Sequence, residues 1–176
     1  MKNCRATSTC LGFALLTAIL CWSAPVGAQD SCQPLYDALT KLASTPSHSY
    51  ARLTNPGGSP MLTEFIYLQG KAYMKVGDTW TDNPLTAKEL LEKEIQNRKN
   101  GHAKCQLLRS DSAEGQPARL YSLHSENPHA KEDVQVWVSQ KTGLPLREEA
   151  DIDLSGGPGK RHVSNWYEYG DVRAPI

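Results

Sequence analysis

Histidine is the side chain best suited to acid–base chemistry and metal binding near neutral pH, and this sequence contains five. They lie at positions 48, 102, 124, 129 and 162, and no two have the His-x-x-x-His spacing that places two metal ligands on one helix face. His124 and His129 flank Asn127-Pro128, which we interpret as a loop with a weak indication of metal binding. We interpret the histidines as ordinary surface or loop residues, and we expect no metal site and no cofactor.

Carboxylates are the other candidates for chemistry, and four of them crowd one segment: Glu148, Glu149, Asp151 and Asp153. The segment lacks the glycine and the glutamate of a calcium-binding loop. Apolar residues occupy every second position from 150 to 154, and a period of two is typical of a strand with one solvent-exposed face. We therefore interpret the acidic run as the solvent-facing side of a strand.

Nucleophilic and nucleotide chemistry have no support in the sequence. There is no Gly-x-Ser-x-Gly turn for a serine nucleophile, and no glycine-rich phosphate loop that follows a strand and opens a helix. We predict that the protein is not an enzyme. The alternative is a hydrolase. Loss of an activity when one of the histidines is mutated would indicate it.

The N-terminus has the order of a secretory signal peptide. Lys2 and Arg5 are followed by an uncharged run from Leu11 to Trp22 and then by the small residues that end at Ala28. The run of about 12 residues is shorter than the ~20 that a membrane-spanning helix needs. Lipid attachment at Cys21 is the less favoured alternative, because Leu20 before it is not small. We predict cleavage after Ala28 and a soluble periplasmic protein that does not span the membrane.

Export changes both the charge and the cysteine count. Without residues 1–28 the 19 basic residues become 17 against 19 acidic ones, a formal charge of −2 with no basic block, so we expect no nucleic-acid partner. Two of the five cysteines remain, Cys32 and Cys105. Because the periplasm oxidises thiols, we predict a disulfide between them. Residues 29–176 suit a single domain.

Two segments have the period of a helix. From Ser31 to Ala43, apolar residues recur at steps of three and four, which predicts an amphipathic helix that carries Cys32. From Thr86 to Asn100, Thr86 and Glu89 have the spacing of a capping box. The apolar face of this second helix is thin, which is typical of a lid on a surface.

The remaining segments have the period of strands. Phe65–Leu68 and Ala72–Val76 indicate a hairpin, and from Cys105 onward the pattern is that of a strand meander. There is no alternation of strands and helices, which favours an α+β fold with an antiparallel sheet that helices cover on one face.

Several strands carry large apolar groups on both faces; Val136 with Trp137 and Trp166 with Tyr167 are two cases. Two interpretations stay open. One is a packed core with amphipathic residues at its rim. The other is a curved sheet whose inner wall holds an apolar ligand under a helical lid.

Four segments, taken together, resemble the outer-membrane lipoprotein carrier superfamily of LolA-like and LppX-like proteins. They are Thr45–Ala51, Gly70–Trp80, the tryptophan, turn and Gly-Leu-Pro pattern of Val136–Glu148, and Tyr167–Val172 with Pro175. The resemblance implies a strongly curved, open half-barrel of antiparallel strands with two helices over one face. It also implies an apolar cavity and carriage of a lipid or an acylated protein.

We therefore expect a non-enzymatic periplasmic binding or carrier protein for an apolar ligand. The alternative is an envelope protein–protein interaction module with a filled interior. The expected ligand-binding wall comprises Leu35, Leu39, Leu42, Phe65, Tyr67, Met74, Trp80, Leu91, Val136, Trp137 and Trp166.

Overall fold

The structure is a computed structural model that describes residues 31–100, 103–157 and 159–175. The predicted signal peptide and its cleavage after Ala28 lie outside the described residues, as does His102. Within these ranges the chain forms two helices and nine strands. They are α1 (Gln33–Leu42), β1 (Ser47–Thr54), β2 (Met61–Leu68), β3 (Lys71–Val76), β4 (Thr79–Asp82), α2 (Ala87–Lys99), β5 (Ala103–Ala113), β6 (Gln116–Asn127), β7 (Ala130–Ser139), β8 (Pro145–Leu154) and β9 (Lys160–Tyr169).

The nine strands form one antiparallel sheet in the order β4-β3-β2-β1-β9-β8-β7-β6-β5. The chain runs outward from β1 to one edge at β4, and it returns from the other edge at β5 to β9, which pairs with β1. The two edge strands do not pair with each other, so the sheet is open. The predicted α+β fold, an open curved antiparallel sheet with two helices, is confirmed.

Helix α1 is held against the sheet by packing and by a covalent bond. Leu35 and Ala38 are fully buried against Tyr121 of β6 and Val136 of β7. Cys32, directly before α1, forms a disulfide with Cys105 of β5, and the two Cα atoms are 6.1 Å apart. The predicted disulfide is confirmed, and it fixes the start of the helix near the β5 edge.

Helix α2 connects opposite edges of the sheet. It follows β4 and precedes β5, so its chain must cross one face of the sheet to join them. The predicted capping box begins it: the Glu89 amide donates to Thr86 Oγ1 at 3.2 Å, and the Thr86 amide donates to Glu89 Oε2 at 2.7 Å. A helix of 13 residues is about 20 Å long, enough to reach across several strands.

Strand alternation gives the sheet two distinct faces. On β1, Ser47, Ser49 and Ala51 are buried, whereas Tyr50 is half-buried and Arg52 is exposed. We call the side of Ser49 and Ala51, over which the two helices lie, the covered face, and the opposite side the outer face. The pairing register extends these two faces to every strand.

Candidate functional site

A cavity of about 700 Å³ lies between the covered face and the two helices. Both helices contribute to its wall, together with strands β1 to β3 and β6 to β9. The larger apolar side chains of the wall are Leu39, Leu42, Leu53, Met61, Phe65, Met74, Leu85, Leu91, Leu123, Val134, Val136 and Val163. The buried core beneath α1 is formed with Tyr121 of β6 and with Val136 and Val138 of β7. The space lies beside that core, where the thin apolar face of α2 leaves the sheet unfilled.

Most of the predicted wall residues come together here. The cavity is lined by Leu39 and Leu42 of α1, Phe65 and Tyr67 of β2, Met74 of β3, Leu91 of α2 and Val136 of β7. That these side chains bind a ligand stays a prediction. Their convergence places an apolar surface where the sequence predicted one.

Leu35 does not line the cavity. It is 0% exposed in the core cluster beneath α1, where it packs with Ala38, Tyr121 and Val138. The sequence placed Leu35 on the same helical stripe as Leu39 and Leu42. The stripe continues past the tight contact with the sheet, so its first leucine fills the core and its later ones reach the open space.

The three predicted tryptophans lie on the outer face, away from the cavity. The Lys75 ammonium is 5.9 Å from the centre of the Trp80 ring, and the Arg52 guanidinium is 5.8 Å from that of Trp166. Trp137 donates a hydrogen bond from Nε1 to Asp111 at 3.1 Å. These positions correct the expectation. Trp137 and Trp166 alternate with wall residues of their own strands, Val136 and Tyr167, and Trp80 lies opposite the outer-facing Lys75.

The pairing register aligns all three tryptophans in one row across the outer face. Each member of the row lies directly opposite the next on a neighbouring strand. In order they are Trp80, Lys75, Glu64, Tyr50, Trp166, Arg147 and Trp137. We call this the aromatic–charged row. Aromatic rings under cations and cross-strand pairs of this kind stabilise a sheet.

A polar group that the sequence interpretation missed lies in the cavity wall. Glu148 of β8 lines the cavity, where Asn165 Nδ2 donates to its Oε1 and Tyr167 Oη donates to its Oε2, both at 3.3 Å. The expectation that Glu148 shares the solvent-facing side with Glu149 is wrong. Its even parity, the same as that of Ala150, is the signal that places it on the covered face.

The tyrosines near Glu148 are held in the protonated form. Burial, and then the charge of Glu148, raise the pKa of Tyr67. The same two causes, burial first, raise the pKa of Tyr167 well above its usual range. Both hydroxyl groups therefore remain hydrogen-bond donors at neutral pH. Together with Asn165 they form a polar patch in a mostly apolar wall, to which the charged residues Glu132 and Lys93 also belong.

His48, His124 and His162 contact carboxylates on the outer face. His124 lies within β6, with Nδ1 2.7 Å from Asp133, whereas Pro128 and His129 form the turn between β6 and β7. The predicted loop is therefore shorter than expected and does not include His124. His48 Nε2 is 3.0 Å from Glu64 Oε2. Within residues 31–100, 103–157 and 159–175, no group of three or more histidine, cysteine, aspartate or glutamate side chains is arranged to hold a metal ion.

Neither helix in the described ranges combines the length and the apolar character that crossing a membrane requires. Fold and site together define an α+β protein with an open antiparallel sheet and an apolar cavity beneath two helices.

No protein-family model and no curated protein matches the sequence. Among solved structures, a chain of the Pseudomonas aeruginosa MucA/MucB complex is similar, with a TM-score of 0.53 and 13% identity. The match covers 83% of this chain and 59% of that one. A crystal structure of MucB gives a TM-score of 0.49 and 14% identity over 85% of this chain and 62% of that one. This chain thus spans about three fifths of the length of those chains.

Two mycobacterial proteins are also similar. LppX of Mycobacterium tuberculosis matches at 15% identity and a TM-score of 0.42 over 82% of this chain and 100% of that one. LprF of Mycobacterium bovis matches at 11% identity and a TM-score of 0.43 over 83% of this chain and 97% of that one. The LolA/LppX-like fold that the sequence segments indicated is found among these neighbours, and at such identities the likeness concerns the fold alone.

Proposed function

We propose that this chain is a non-enzymatic periplasmic binding or carrier protein that holds an apolar ligand, a lipid or the acyl chain of an acylated protein, between the sheet and the helices. The observation that carries the proposal is the cavity of about 700 Å³. Cavities that bind small molecules are typically 300–1,000 Å³, mostly apolar, and carry a few placed polar groups. This cavity has the size and the composition of that class.

An apolar cavity of this size is unfavourable in water when it is empty. Burying apolar surface contributes about 25 cal/mol per Å², so a ligand that covers the leucine, valine and methionine side chains of the wall stabilises the folded protein. Met61 and Leu85, 55% and 52% exposed, belong to both the wall and the surface. They supply an apolar route by which the ligand can pass between the cavity and the protein surface.

The names of the neighbours agree with a role in the cell envelope. LppX is described as a lipoprotein, one neighbour is described as a LolA superfamily protein, and another is described as a "putative outer membrane lipoprotein-sorting protein domain". The signal-peptide pattern of residues 1–28 and the Cys32–Cys105 disulfide support the same compartment.

An envelope protein–protein interaction module is the second candidate. It is favoured by the neighbour whose structure is a complex of MucA and MucB. The form with a filled interior is the less supported one, because a cavity occupies that space. The test is crosslinking in the periplasm, with the wild-type chain and with a variant whose cavity is blocked. Capture of the same specific protein by both would favour this candidate.

Native mass spectrometry of protein purified from a bacterial periplasm tests the proposal. We expect an apolar molecule to co-purify with the wild-type chain. Val134→Trp places an indole in the cavity and should abolish the bound mass. Gln135→Trp adds an indole at the adjacent position, which faces the outer side, so this variant should still carry the apolar molecule.

Circular dichroism would confirm that both variants are folded, since overpacking a wall position costs typically 1–3 kcal/mol. A folded wild-type protein that never carries an apolar molecule, or a Val134→Trp variant that carries as much as Gln135→Trp, would contradict the proposal.

A further inference from the structure

A second space adjoins the cavity, and Ala43 and Tyr67 line both. It has a volume of about 550 Å³ and is lined by residues 43–46 after α1, by residues 67–71 around the turn between β2 and β3, and by the first turns of α2. We call this space the vestibule. Because the two spaces share wall residues, a molecule that fills the cavity can continue into the vestibule.

The vestibule lies at one end of the cavity. Tyr67 is the wall residue of β2 nearest to the turn between β2 and β3, whereas Met61 is the first residue of that strand. At about 3.4 Å per residue, the two are roughly 20 Å apart. At the Met61 end, the paired wall residues of β1 and β2 are Leu53 and Met61. An extended apolar chain can therefore lie with one end beside Met61 and the other end at the vestibule.

The vestibule differs from the cavity in its chemistry. Most of its lining residues are polar, and they include two ammonium groups and two carboxylates, those of Lys71, Lys88, Glu89 and Glu92. All four residues are exposed, and their formal charges cancel. A mostly apolar space that continues into a polar one is the arrangement that an amphiphile fits, with its chain in the first and its head group in the second.

Two charges of opposite sign stand on different walls of the vestibule. Glu89 of α2 accepts hydrogen bonds from the amide and the hydroxyl group of Thr86 at 2.7 and 2.8 Å, which fix its carboxylate. These bonds, that of the amide first, lower the pKa of Glu89 and keep it ionised at neutral pH. Lys71, the first residue of β3, has no ion-pair partner among the described residues. Lys88 and Glu92, 3.7 Å apart on α2, offset each other.

We propose that the vestibule receives the head group of an amphiphile whose chain lies in the cavity, and that this head group is zwitterionic, with a phosphate beside Lys71 and an ammonium beside Glu89. The inference rests on the proposed function, since it names the class of ligand that the cavity takes. A phosphocholine or phosphoethanolamine head group has this chemistry.

The physical reason is that a head group with a single charge meets one favourable and one unfavourable partner. An anion is attracted by Lys71 and repelled by Glu89, and a cation experiences the reverse. A zwitterion can place each of its charges beside the partner of opposite sign, and such close contacts are screened less by salt than longer-range attraction is. The volume of about 550 Å³ also exceeds what a lone carboxylate fills, and it lies within the range of whole ligand sites.

Displacement of the neutral fluorophore N-phenyl-1-naphthylamine measures this preference. Protein purified from a periplasm and washed free of lipid would be titrated at pH 7 with decylphosphocholine, decyltrimethylammonium and decyl sulfate, each below its micelle concentration. The three share one chain and differ in the charge of the head group. We expect half-displacement by decylphosphocholine at a concentration about tenfold lower than by either of the others, as one additional charge-assisted contact would give.

Charge-removing variants assign the preference to the two walls. Lys71→Gln should bring decylphosphocholine and decyltrimethylammonium within about twofold of each other, because the phosphate loses its partner. Glu89→Gln should do the same for decylphosphocholine and decyl sulfate, and glutamine also serves at this position of a capping box. Lys104→Gln removes an exposed charge from β5, away from both spaces, and should leave the preference intact.

A pair of tryptophan variants assigns the preference to the vestibule itself. Ser44→Trp adds an indole to its wall, so the three amphiphiles should become equivalent within about twofold while the fluorophore still binds. Thr40→Trp adds the same group to an exposed position of α1 outside both spaces. Each substitution removes one hydroxyl group that donates to a backbone carbonyl of α1, so Thr40→Trp is a matched control and should behave as the wild type.

Equal displacement by the three amphiphiles in the wild type, or an unchanged preference in Lys71→Gln, would overturn the inference while leaving the proposed function in place. An unchanged preference in Ser44→Trp would overturn it as well, since the head group would then lie elsewhere, for instance at the Met61 end. If the fluorophore does not bind, or binds equally to Val134→Trp, the proposed function fails and the inference fails with it.

Discussion

Arg147 and Trp137 lie directly opposite each other on β8 and β7, with the guanidinium carbon 5.4 Å from the centre of the indole ring. The pair stands on the outer face, while Glu148, the next residue along β8, lines the cavity on the other face. One strand therefore contributes in alternate positions to two different tasks. The outer positions stabilise the sheet, and the inner ones form the wall.

Trp137→Ala should destabilise the fold without altering the cavity. The substitution removes packing against Ala113, Ala118 and Leu146 and the hydrogen bond to Asp111. For a half-buried tryptophan we expect a loss of roughly 2–3 kcal/mol in the free energy of unfolding, measured with urea. Co-purification of an apolar molecule should persist. Loss of that molecule without loss of stability would contradict the outer-face position.

Removing the disulfide should lower stability while preserving the fold. The bond closes a separation of 73 residues, for which the chain-entropy model gives about 4 kcal/mol. The double variant Cys32→Ala/Cys105→Ala should show this loss in urea unfolding, and a reductant should reproduce it in the wild type. The double variant itself is the control, because a reductant should leave its stability unchanged.

Leu35 and Leu39 should respond differently to truncation. Leu35→Ala opens a hole in the fully buried contact between α1 and the sheet, and it should cost about 3 kcal/mol. Leu39→Ala enlarges a space that already exists, so its cost should be smaller. In titrations with the neutral fluorophore N-phenyl-1-naphthylamine, Leu39→Ala should change the affinity of the cavity for the fluorophore. Leu35→Ala should leave that affinity unchanged once the titration is corrected for the fraction of protein that is folded. Equal stability losses would show that the cavity is collapsed in solution.

His162 should make stability depend on pH. A hydrogen bond with Asp151 and the nearby charge of Glu149 raise the pKa of His162 above its usual value of about 6.5, against a smaller opposing effect of burial. Because the folded-state pKa is raised, the protonated ring stabilises the fold below about pH 6.5, and this contribution disappears as pH rises through the folded-state pKa.

The ring is 47% exposed, so solvent screening limits the effect to roughly 0.5 kcal/mol. The difference in urea midpoint between the wild type and His162→Gln should therefore shrink between pH 6 and pH 8.5. A constant difference for His162→Gln would contradict the assignment.

The elements and their type were predictable from the sequence because each one has a local cause. The Thr86–Glu89 capping box marks the start of α2, and the spacing of Phe65–Leu68 and Ala72–Val76 predicts the hairpin of β2 and β3. The Cys32–Cys105 pair followed from counting the cysteines that lie outside the predicted signal peptide. Such features need no knowledge of which strands are neighbours.

The face of each side chain was not predictable where a strand is apolar on both sides. Val136 with Trp137, and Trp166 with Tyr167, fit either orientation by size and hydrophobicity. Only the register decides, because it places both tryptophans opposite Arg147 and so on the outer face. Glu148 was missed for the related reason that its neighbour Glu149 suggested a single acidic surface, although successive strand residues face opposite ways.

The pairing of β1 with β9 has a consequence for how the chain reaches this state. Tyr50 and Glu168, which meet across that pair through a hydrogen bond of 3.2 Å, are 118 positions apart. Each half of the sheet is a meander of local hairpins that can form early, whereas joining the halves closes a very long loop, a slow step in folding. A chain made from its N-terminus therefore has no complete cavity until its last strand arrives, and the apolar wall stays open to other binders during that interval.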